Sequence, residues 1–331
     1  MNAPRLDLSA KFPVKVGHSS ATGTAAAAPA AVPAATPKRT GTSGKLLRNP
    51  FFVIGAVILS VMVALAVFAP WVAPFSPDEI DLFAIEEPPG GGHWLGTDEV
   101  GRDVFSRLLF GGRVSVLVGV SAVALQLVIG VALGALAGYC GGLVDAVVMR
   151  LTEVVMCFPF YAIAITLAAL FGASVWNVIL IIGILHWTGL ARLVRAEFMS
   201  LREREFVLAA RAIGTSPLRI VLRHLLRNSY GPVLVYATLA VAQGVLAEAA
   251  LSFLGLGVRQ PQPSWGNMLS AAQSMRVLSD QWWLWMPPGI AIMLMVLAIN
   301  FLGEALSSNL NRRPARPVAD LWPRRRAHRQ P

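Results

Sequence analysis

The chain has 331 residues, of which 55% are hydrophobic and only 14% are charged. Together with a mean hydropathy of +0.61, this composition indicates a membrane protein and excludes an ordinary soluble domain. The formal net charge of +10 is a reason to consider nucleic-acid binding, but the positions of the basic residues, described below, argue against a nucleic-acid partner. Cys140 and Cys157 have neither metal-site nor redox spacing, and we predict no metal site and no cofactor.

Residues 1–48 are rich in Ala, Pro, Thr and Ser and predict a disordered cytoplasmic tail. Pro29, Pro33 and Pro37 interrupt the alanine run, which is atypical of a secretory signal peptide. The segment GTSGKL at 41–46 lacks the first glycine and the final hydroxyl residue of a phosphate-binding loop. We therefore predict no phosphate-binding loop in this segment. Residues 309–331 predict a basic cytoplasmic tail.

Six apolar segments are close to the length of about 20 residues that a helix needs to cross a bilayer. They lie near residues 51–70, 114–138, 149–171, 175–192, 231–254 and 287–306. The sequence therefore predicts an all-α membrane protein with six transmembrane helices. We divide it into a first helix with its periplasmic connection, 49–112, and a transmembrane core, 113–308.

The lysines and arginines set the orientation of these spans, because cytoplasmic loops carry an excess of both. With both termini in the cytoplasm, 23 of the 28 basic residues lie inside and five lie outside. The connection 192–230, between the fourth and fifth spans, contains eight of them. The bias predicts cytoplasmic termini and explains the high net charge without nucleic acid.

A charged cluster precedes the second span in the outer connection. It contains Asp98, Arg102 and Asp103. A helix cap with ion pairs that fix the start of the span is the simpler interpretation. Contact with an external protein is the alternative.

Polar groups within the spans are candidates for the translocation path or for contacts inside the bundle. Glu248 recurs at four-residue spacing with Ala240 and Gly244, so it faces either another helix or the path. Gln243 lies in the same span. A structural hydrogen bond is the simpler interpretation for Glu248, and a role in substrate passage or gating is the alternative.

Two further polar residues lie near the inner ends of their spans. Glu153 is three residues after Arg150, a spacing that predicts an ion pair. Asn300 shares a helix face with Glu304 and is expected to contact another helix. A face of small residues predicts close helix packing; its members are Gly130, Gly134 and Gly138.

Residues 202–228 form a segment that we call the elbow, between the fourth and fifth spans. Residues 202–213 predict a helix with Phe206, Ala210 and Ile213 on one face. Small residues on this helix would let a partner approach closely.

A second helix is predicted in the elbow after a break. Gly214 is suited to end the first helix, Ser216 to cap the next one, and Pro217 to occupy its first position. The predicted apolar face of the second helix consists of Leu218, Val221, Leu222 and Leu225. A basic stripe recurs every four residues and consists of Arg219, Arg223 and Arg227. The pattern predicts two amphipathic helices along the membrane surface, with a protein docked on them.

Four long stretches support a family resemblance. They read LGTDEVGRDVFSRLLFGGRVSVLVG (95–119), GYCGGLVDAVVMRLTEVVMCFPF (138–160), ARLVRAEFMSLREREFVLAARAIGTS (191–216) and LAEAALSFLGLGVRQPQPSWGNML (246–269). Together they resemble the second permease of dipeptide and oligopeptide ABC importers, and LAARAIG in the elbow is similar to the EAA loop of these permeases. The resemblance covers roughly residues 45–310.

The resemblance implies a type I ABC importer permease fold in the bacterial cytoplasmic (inner) membrane and ATP-driven import of dipeptides or oligopeptides. It implies a heterodimer with a second homologous permease, embedded in the lipid bilayer. It also implies two ABC ATPase subunits that bind the ATP, and a periplasmic substrate-binding protein. In this family each ATPase binds an EAA loop. Carried over to this sequence, the ATPase-coupling residues are Glu205, Ala209, Ala210, Arg211, Gly214, Ser216, Arg219 and Arg223.

The elbow departs from the family pattern at two positions. Leu208 stands where the family has Glu, and Arg227 stands where it has Pro. The nearest replacements are Glu205 for the charge and Gly231-Pro232 for the break.

Three alternatives to a peptide permease remain. A permease of the same kind could carry nickel, glutathione or another small solute. A secondary transporter predicts inverted repeats, and a membrane enzyme predicts a nucleophile with its base, or a metal-ligand set, at one depth of the membrane. Neither of these two patterns is visible in the sequence.

Overall fold

The computed structural model describes residues 49–311, which form helices and their connections. In chain order, these helices are α1 (Pro50–Val67), α2 (Ala69–Val72), α3 (Val104–Cys140), α4 (Gly142–Met156), α5 (Phe160–Phe171), α6 (Val175–Arg202), α7 (Glu205–Ala212), α8 (Pro217–Phe253), α9 (Trp265–Leu269), α10 (Met275–Asp280) and α11 (Trp282–Asn311). A 3₁₀ turn, Ser270–Gln273, joins α9 to α10. The prediction of an all-α protein is confirmed for this part of the chain. The predicted tail at 1–48 and most of the tail at 309–331 lie outside it.

Five of the helices within 49–311 are long and apolar enough to cross a membrane, namely α1, α3, α6, α8 and α11. The third predicted span, 149–171, is not a continuous helix: α4 and α5 meet at a bend of 82°. Pro159 cannot donate a backbone hydrogen bond, and it disfavours helical backbone at Phe158 before it. The structure therefore has two helices where the sequence predicts one, because the average hydropathy of the segment does not reveal the effect of a single proline.

The glycine face of α3 packs directly on α6. A Cβ atom added at Gly134 would lie 2.5 Å from the carbonyl oxygen of Ala191, and one added at Gly138 would lie 2.7 Å from that of Arg195. At Gly130 the nearest atoms belong to the side chain of Leu190. Only glycine allows the two backbones to approach this closely, so the predicted packing face is confirmed.

The connections 73–103 and 254–281 pack together at one end of the bundle, which we call the loop end. The guanidinium of Arg107 donates to the carbonyl oxygens of Pro77 (3.0 Å) and Pro261 (3.3 Å), so it joins both connections to the start of α3. Trp283 Nε1 in α11 donates to the carbonyl oxygen of Thr97 (3.3 Å). The division drawn between residues 112 and 113 falls inside α3.

The second half of the elbow is part of α8 and is not a separate surface helix. α8 continues through Pro232, so Gly231-Pro232 makes no break. Its first turns contain a π-helical segment, Ile220–Leu225. A π turn closes i→i+5, which brings residues five apart toward one face, and accordingly Ile220 and Leu225 are both buried while Leu218 is exposed.

The four residues of the predicted apolar face differ in burial. The prediction assumed α-helical spacing, and Leu218 and Leu222 are exposed whereas Leu225 is buried. The π segment changes which residues share a face, and it leaves these two leucines at the surface.

Candidate functional site

The elbow is anchored to the bundle by one face of α7. Val207 and Ala210 are buried there, in one cluster with Phe198 of α6 and with Ile220 and Leu225 of α8. This anchorage gives α7 a fixed position at the end of the bundle opposite the loop end. A partner that binds α7 therefore contacts an element joined to both α6 and α8.

The three residues predicted to share one face of α7 differ in burial. Ala210 is buried, whereas Phe206 is 40% exposed and Ile213 is 82% exposed. The inward-facing partner of Ala210 is Val207, which lies three residues before it. Phe206 and Ile213 therefore lie at the surface of this helix, whereas Ala210 does not.

A left-handed glycine ends α7 as predicted. Gly214 has φ +77°, and its N–H donates to the carbonyl oxygen of Arg211 (3.0 Å), while the N–H of Thr215 donates to that of Ala210 (3.0 Å). These two bonds form a Schellman motif. Ser216 occupies the cap position of α8, but its side chain makes no capping hydrogen bond, so the cap predicted from its hydroxyl is wrong; the following proline opens α8 as predicted.

The outward side of the elbow combines apolar and basic side chains, and we call it the docking face. Its exposed large apolar residues are Phe206, Leu208, Ile213, Leu218 and Leu222. Its exposed basic residues are Arg211, Arg219, Arg223 and Arg227, with Glu205 and Ala209 exposed beside them. A short segment that exposes several large apolar side chains together with charged ones is typical of a protein-binding site. All eight predicted coupling residues lie in the elbow, and among them Ala210 is the one that packs inward.

Glu248, the deepest acid of the spans, lies in a hydrogen-bond network inside the bundle. It is 0% exposed, and its carboxylate accepts hydrogen bonds from Ser115 Oγ of α3 (2.8 Å) and Ser252 Oγ of α8 (2.7 Å). The same hydroxyl oxygens accept backbone N–H groups, Ser115 from Trp265 (3.3 Å) and Ser252 from Val258 (3.1 Å). The network thus joins two helices to the loop end.

The stripe that carries Glu248 faces another helix, as one of the two sequence interpretations expected. A Cβ atom added at Gly244 would lie 3.3 Å from the carbonyl oxygen of Gly119 in α3, and Ala240 is buried. Within this chain the geometry is that of a structural hydrogen-bonded contact. The serine partners were not identified from the sequence, because nothing in it pairs residues 133 positions apart.

Comparison with known proteins places these features in a family. The family model described as "Binding-protein-dependent transport system inner membrane component" matches residues 130–316, more than half of the chain. The chain belongs to this family. A second model, described as the N-terminal transmembrane domain of oligopeptide transport permease C, matches residues 44–89. The resemblance inferred from the sequence is confirmed, and the protein is a multi-pass membrane component of a transport system.

Curated relatives are similar over most of their length. A putative peptide permease of Brucella suis is 44% identical over 80% of this chain and 88% of its own. A probable D,D-dipeptide transport system permease of Escherichia coli is 39% identical over 80% and 88%, respectively. A dipeptide transport system permease of Bacillus subtilis is 38% identical over 81% and 83%.

At the loop end of this transport component, Asp98 and Arg102 are paired as the sequence suggested. Arg102 Nε donates to Asp98 Oδ2 (2.8 Å), and the backbone N–H of Arg102 donates to Asp98 Oδ1 (3.0 Å). Asp103 is the N-cap of α3 and accepts the N–H of Ser106 (2.7 Å). Its other oxygen lies 3.0 Å from His93 Nδ1. Helix capping and ion pairing are therefore both present here.

The remaining polar residues of the spans differ in their surroundings. Arg150 donates to Glu153 (2.8 Å), so the predicted ion pair is confirmed, at the surface. Asn300 Nδ2 donates to the carbonyl oxygen of Val296 in its own helix (2.9 Å) and is exposed. Within residues 49–311, the side chain of Asn300 makes no hydrogen bond to another helix. Gln243 is exposed on α8.

Sequence reasoning missed an ion pair that joins α4 to α6. Arg195 donates through Nε and through NH2 to the two carboxylate oxygens of Asp145, the second bond at 2.6 Å. Arg202 also donates to the carbonyl oxygen of Gly138 (3.3 Å). A two-pronged arginine–carboxylate contact fixes orientation as well as distance. The pair of Arg195 with Asp145 therefore holds α4 in a fixed orientation against α6, the helix that leads into the elbow.

Proposed function

We propose that this protein is the transmembrane permease subunit of an ATP-driven ABC importer for dipeptides or oligopeptides. The proposal includes six spans of a type I importer permease, with α4 and α5 together as the third, and both termini in the cytoplasm. It also includes the division into tails at 1–48 and 309–331 around a membrane region. The names of the relatives support peptide as the cargo. The distribution of the basic residues supports the orientation.

The partners proposed are a second homologous permease in a heterodimer, two ABC ATPases and a periplasmic binding protein, within a bacterial inner membrane. The ATPases supply the nucleotide site, so this subunit transmits force and performs no catalysis. Gln243, Asn300 and Glu304 are exposed on helices that lie in the membrane. Because lipid cannot satisfy such groups, we assign them to the permease–permease contact or to the translocation path.

The docking face is the observation that carries the proposal. Ile213 is 82% exposed, and the docking face also contains three exposed leucines and four exposed arginines; the elbow faces the cytoplasm in the proposed orientation. Water-exposed apolar residues in such a cluster are accounted for when a partner covers them. An ATPase that presents an apolar groove with acidic edges fits this face.

Replacement of Ile213 by Asp tests this assignment. The side chain is 82% exposed, so the substitution alters few contacts within this chain, but it places a charge on the docking face. Loss of an energetically important interface residue costs about 2 kcal/mol or more. We expect at least a tenfold reduction in the ATPase that co-purifies in mild detergent, together with loss of peptide uptake.

Met275→Asp is the matched control, because Met275 is 80% exposed at the opposite, loop end. It should leave the amount of co-purified ATPase unchanged. Full retention of the ATPase by the Ile213 variant would refute the assignment of the docking face. Uptake that persists without ATP but follows an ion gradient would instead favour a secondary transporter. The peptide cargo is tested separately, by competition with nickel and glutathione.

A further inference from the structure

A polar cavity of about 480 Å³ lies at the loop end. Its walls come from the connection 73–103, the start of α3, the connection after α8, and α10. The charged residues that line it are three arginines and three carboxylates: Arg102, Arg107, Arg276, Glu86, Asp98 and Glu99. The formal charges therefore balance, which favours neither a simple anion nor a simple cation as the occupant.

Three of these charged residues, Asp98, Arg102 and Arg107, are held by hydrogen bonds and ion pairs within the protein. Asp98 accepts from the side chain and backbone of Arg102, and Arg107 Nε lies 3.6 Å from the same carboxylate. The Arg107 side chain is buried, and its remaining donors bond to carbonyl oxygens and to Gln260. This half forms a fixed wall of the cavity.

The other half is available for exchange with a ligand. Arg276 donates one hydrogen bond to Glu86, and its side chain is 68% exposed. Exposed ion pairs of this kind contribute little to stability, so a ligand carboxylate can replace the Glu86 carboxylate at little cost. Glu99 makes no side-chain hydrogen bond or ion pair with any residue in 49–311, and it faces the same cavity.

The cavity also has an apolar part. Val104, Met268, Val277 and Leu284 line it and are all buried. A space of several hundred Å³ with an apolar wall and a few converging polar groups is typical of a small-molecule site. Two extended residues span about 7 Å, so a dipeptide fits with one side chain against the apolar wall.

We propose that this cavity binds short zwitterionic peptides. The guanidinium of Arg276 binds the peptide carboxylate in a two-pronged contact, and the carboxylates of Glu86 and Glu99 bind the terminal ammonium group. The inference rests on the proposed function, since it requires a peptide cargo and an outward-facing loop end. It adds a receiving site on this subunit, distinct from the path between the spans.

The test uses the full-length protein with its second permease and ATPases in lipid nanodiscs, without the binding protein. Titration calorimetry compares three probes: alanyl-alanine, its N-acetyl derivative and its C-terminal amide. Each blocked probe lacks one of the two charges. We expect the free dipeptide to bind at least tenfold more tightly than either blocked form, and Arg276→Gln and Glu99→Gln each to weaken its binding at least fivefold.

Arg259→Gln is the matched control, because Arg259 is exposed on the connection after α8 but does not line the cavity. It should leave the dissociation constant unchanged. Absence of dipeptide binding, equal binding of the blocked forms, or binding that Arg276→Gln leaves intact would each overturn the inference. ATP-driven uptake by the same assembly, with binding protein added, tests the proposed function separately; normal uptake beside any of those three results leaves that function standing and removes only the cavity site.

Discussion

Replacement of Glu248 provides the sharpest test of the network inside the bundle. The carboxylate accepts two serine hydroxyls. Side-chain hydrogen bonds within membrane helix bundles contribute about 0.6 kcal/mol each on average and up to about 1.7 kcal/mol. Two bonds therefore contribute about 1–3 kcal/mol. The void left by a shorter side chain adds about 1 kcal/mol, so we expect Glu248→Ala to lower the free energy of unfolding by about 2–4 kcal/mol.

Glu248→Gln should behave differently. The amide oxygen can accept from one serine while the amide nitrogen donates to the other, because a serine oxygen that already accepts one backbone N–H has a second lone pair. The hydroxyl proton of that second serine can then turn to a carbonyl oxygen one turn earlier in its own helix. With size and hydrogen bonds retained, we expect a loss below about 1 kcal/mol. Unfolding in SDS, followed by far-UV circular dichroism, measures both variants.

Gln243→Ala is the control for these variants, because Gln243 is an exposed polar residue of the same helix, and it should change stability by less than about 0.5 kcal/mol. Equal losses in the Gln and Ala variants would show that the negative charge itself is required, which the hydrogen-bond reasoning does not allow. An unaffected Ala variant would show that the network contributes nothing to stability.

Three further predictions concern helix packing and the elbow. Gly134→Ala should cost about 1–3 kcal/mol of unfolding free energy through overpacking, whereas Gly289→Ala, with its nearest atom 3.7 Å away, should cost nothing; SDS unfolding compares them, and equal stabilities would contradict the packing argument. Gly214→Ala strains a left-handed position by about 1–2 kcal/mol and should reduce ATP-driven peptide uptake, whereas Gly214→Asn should restore much of it; an Asn variant no better than Ala would count against the backbone explanation. Reversing Arg219 and Arg223 to Glu should reduce ATPase retention more at low salt than at high salt, as measured by co-purification; a salt-independent loss would rule out a charge effect.

Much of the fold follows from the sequence because its signals are local. The glycine face of α3, the glycine that ends α7, and the pair of Arg150 with Glu153 each depend on spacings within a turn or two of helix. The positions of five spans follow from apolar length alone. Such features depend only on nearby residues and not on the packing of the rest of the chain.

The predictions differ from the structure where a single residue, or a residue distant in sequence, determines the local structure. The bend at Pro159 interrupts an otherwise apolar stretch, whose average hydropathy predicts one continuous helix. The faces of the elbow depend on the packing of α7 and α8 against Phe198, which no spacing reveals. The bonds of Glu248 to Ser115 and of Arg195 to Asp145 join residues far apart in sequence.

The π segment of α8 fixes the helical phase of everything that follows it. An α-helix turns by about 100° per residue, so one additional residue in a turn rotates the rest of the helix by about that angle. α8 continues from Leu226 to Phe253 as α-helix, and the rotation reaches Glu248 undiminished, about 35 Å farther along the axis. In this orientation the side chain of Glu248 points toward α3 and bonds to Ser115. Six residues in the elbow thus determine which side of α8 is presented to α3 at the far end of the bundle.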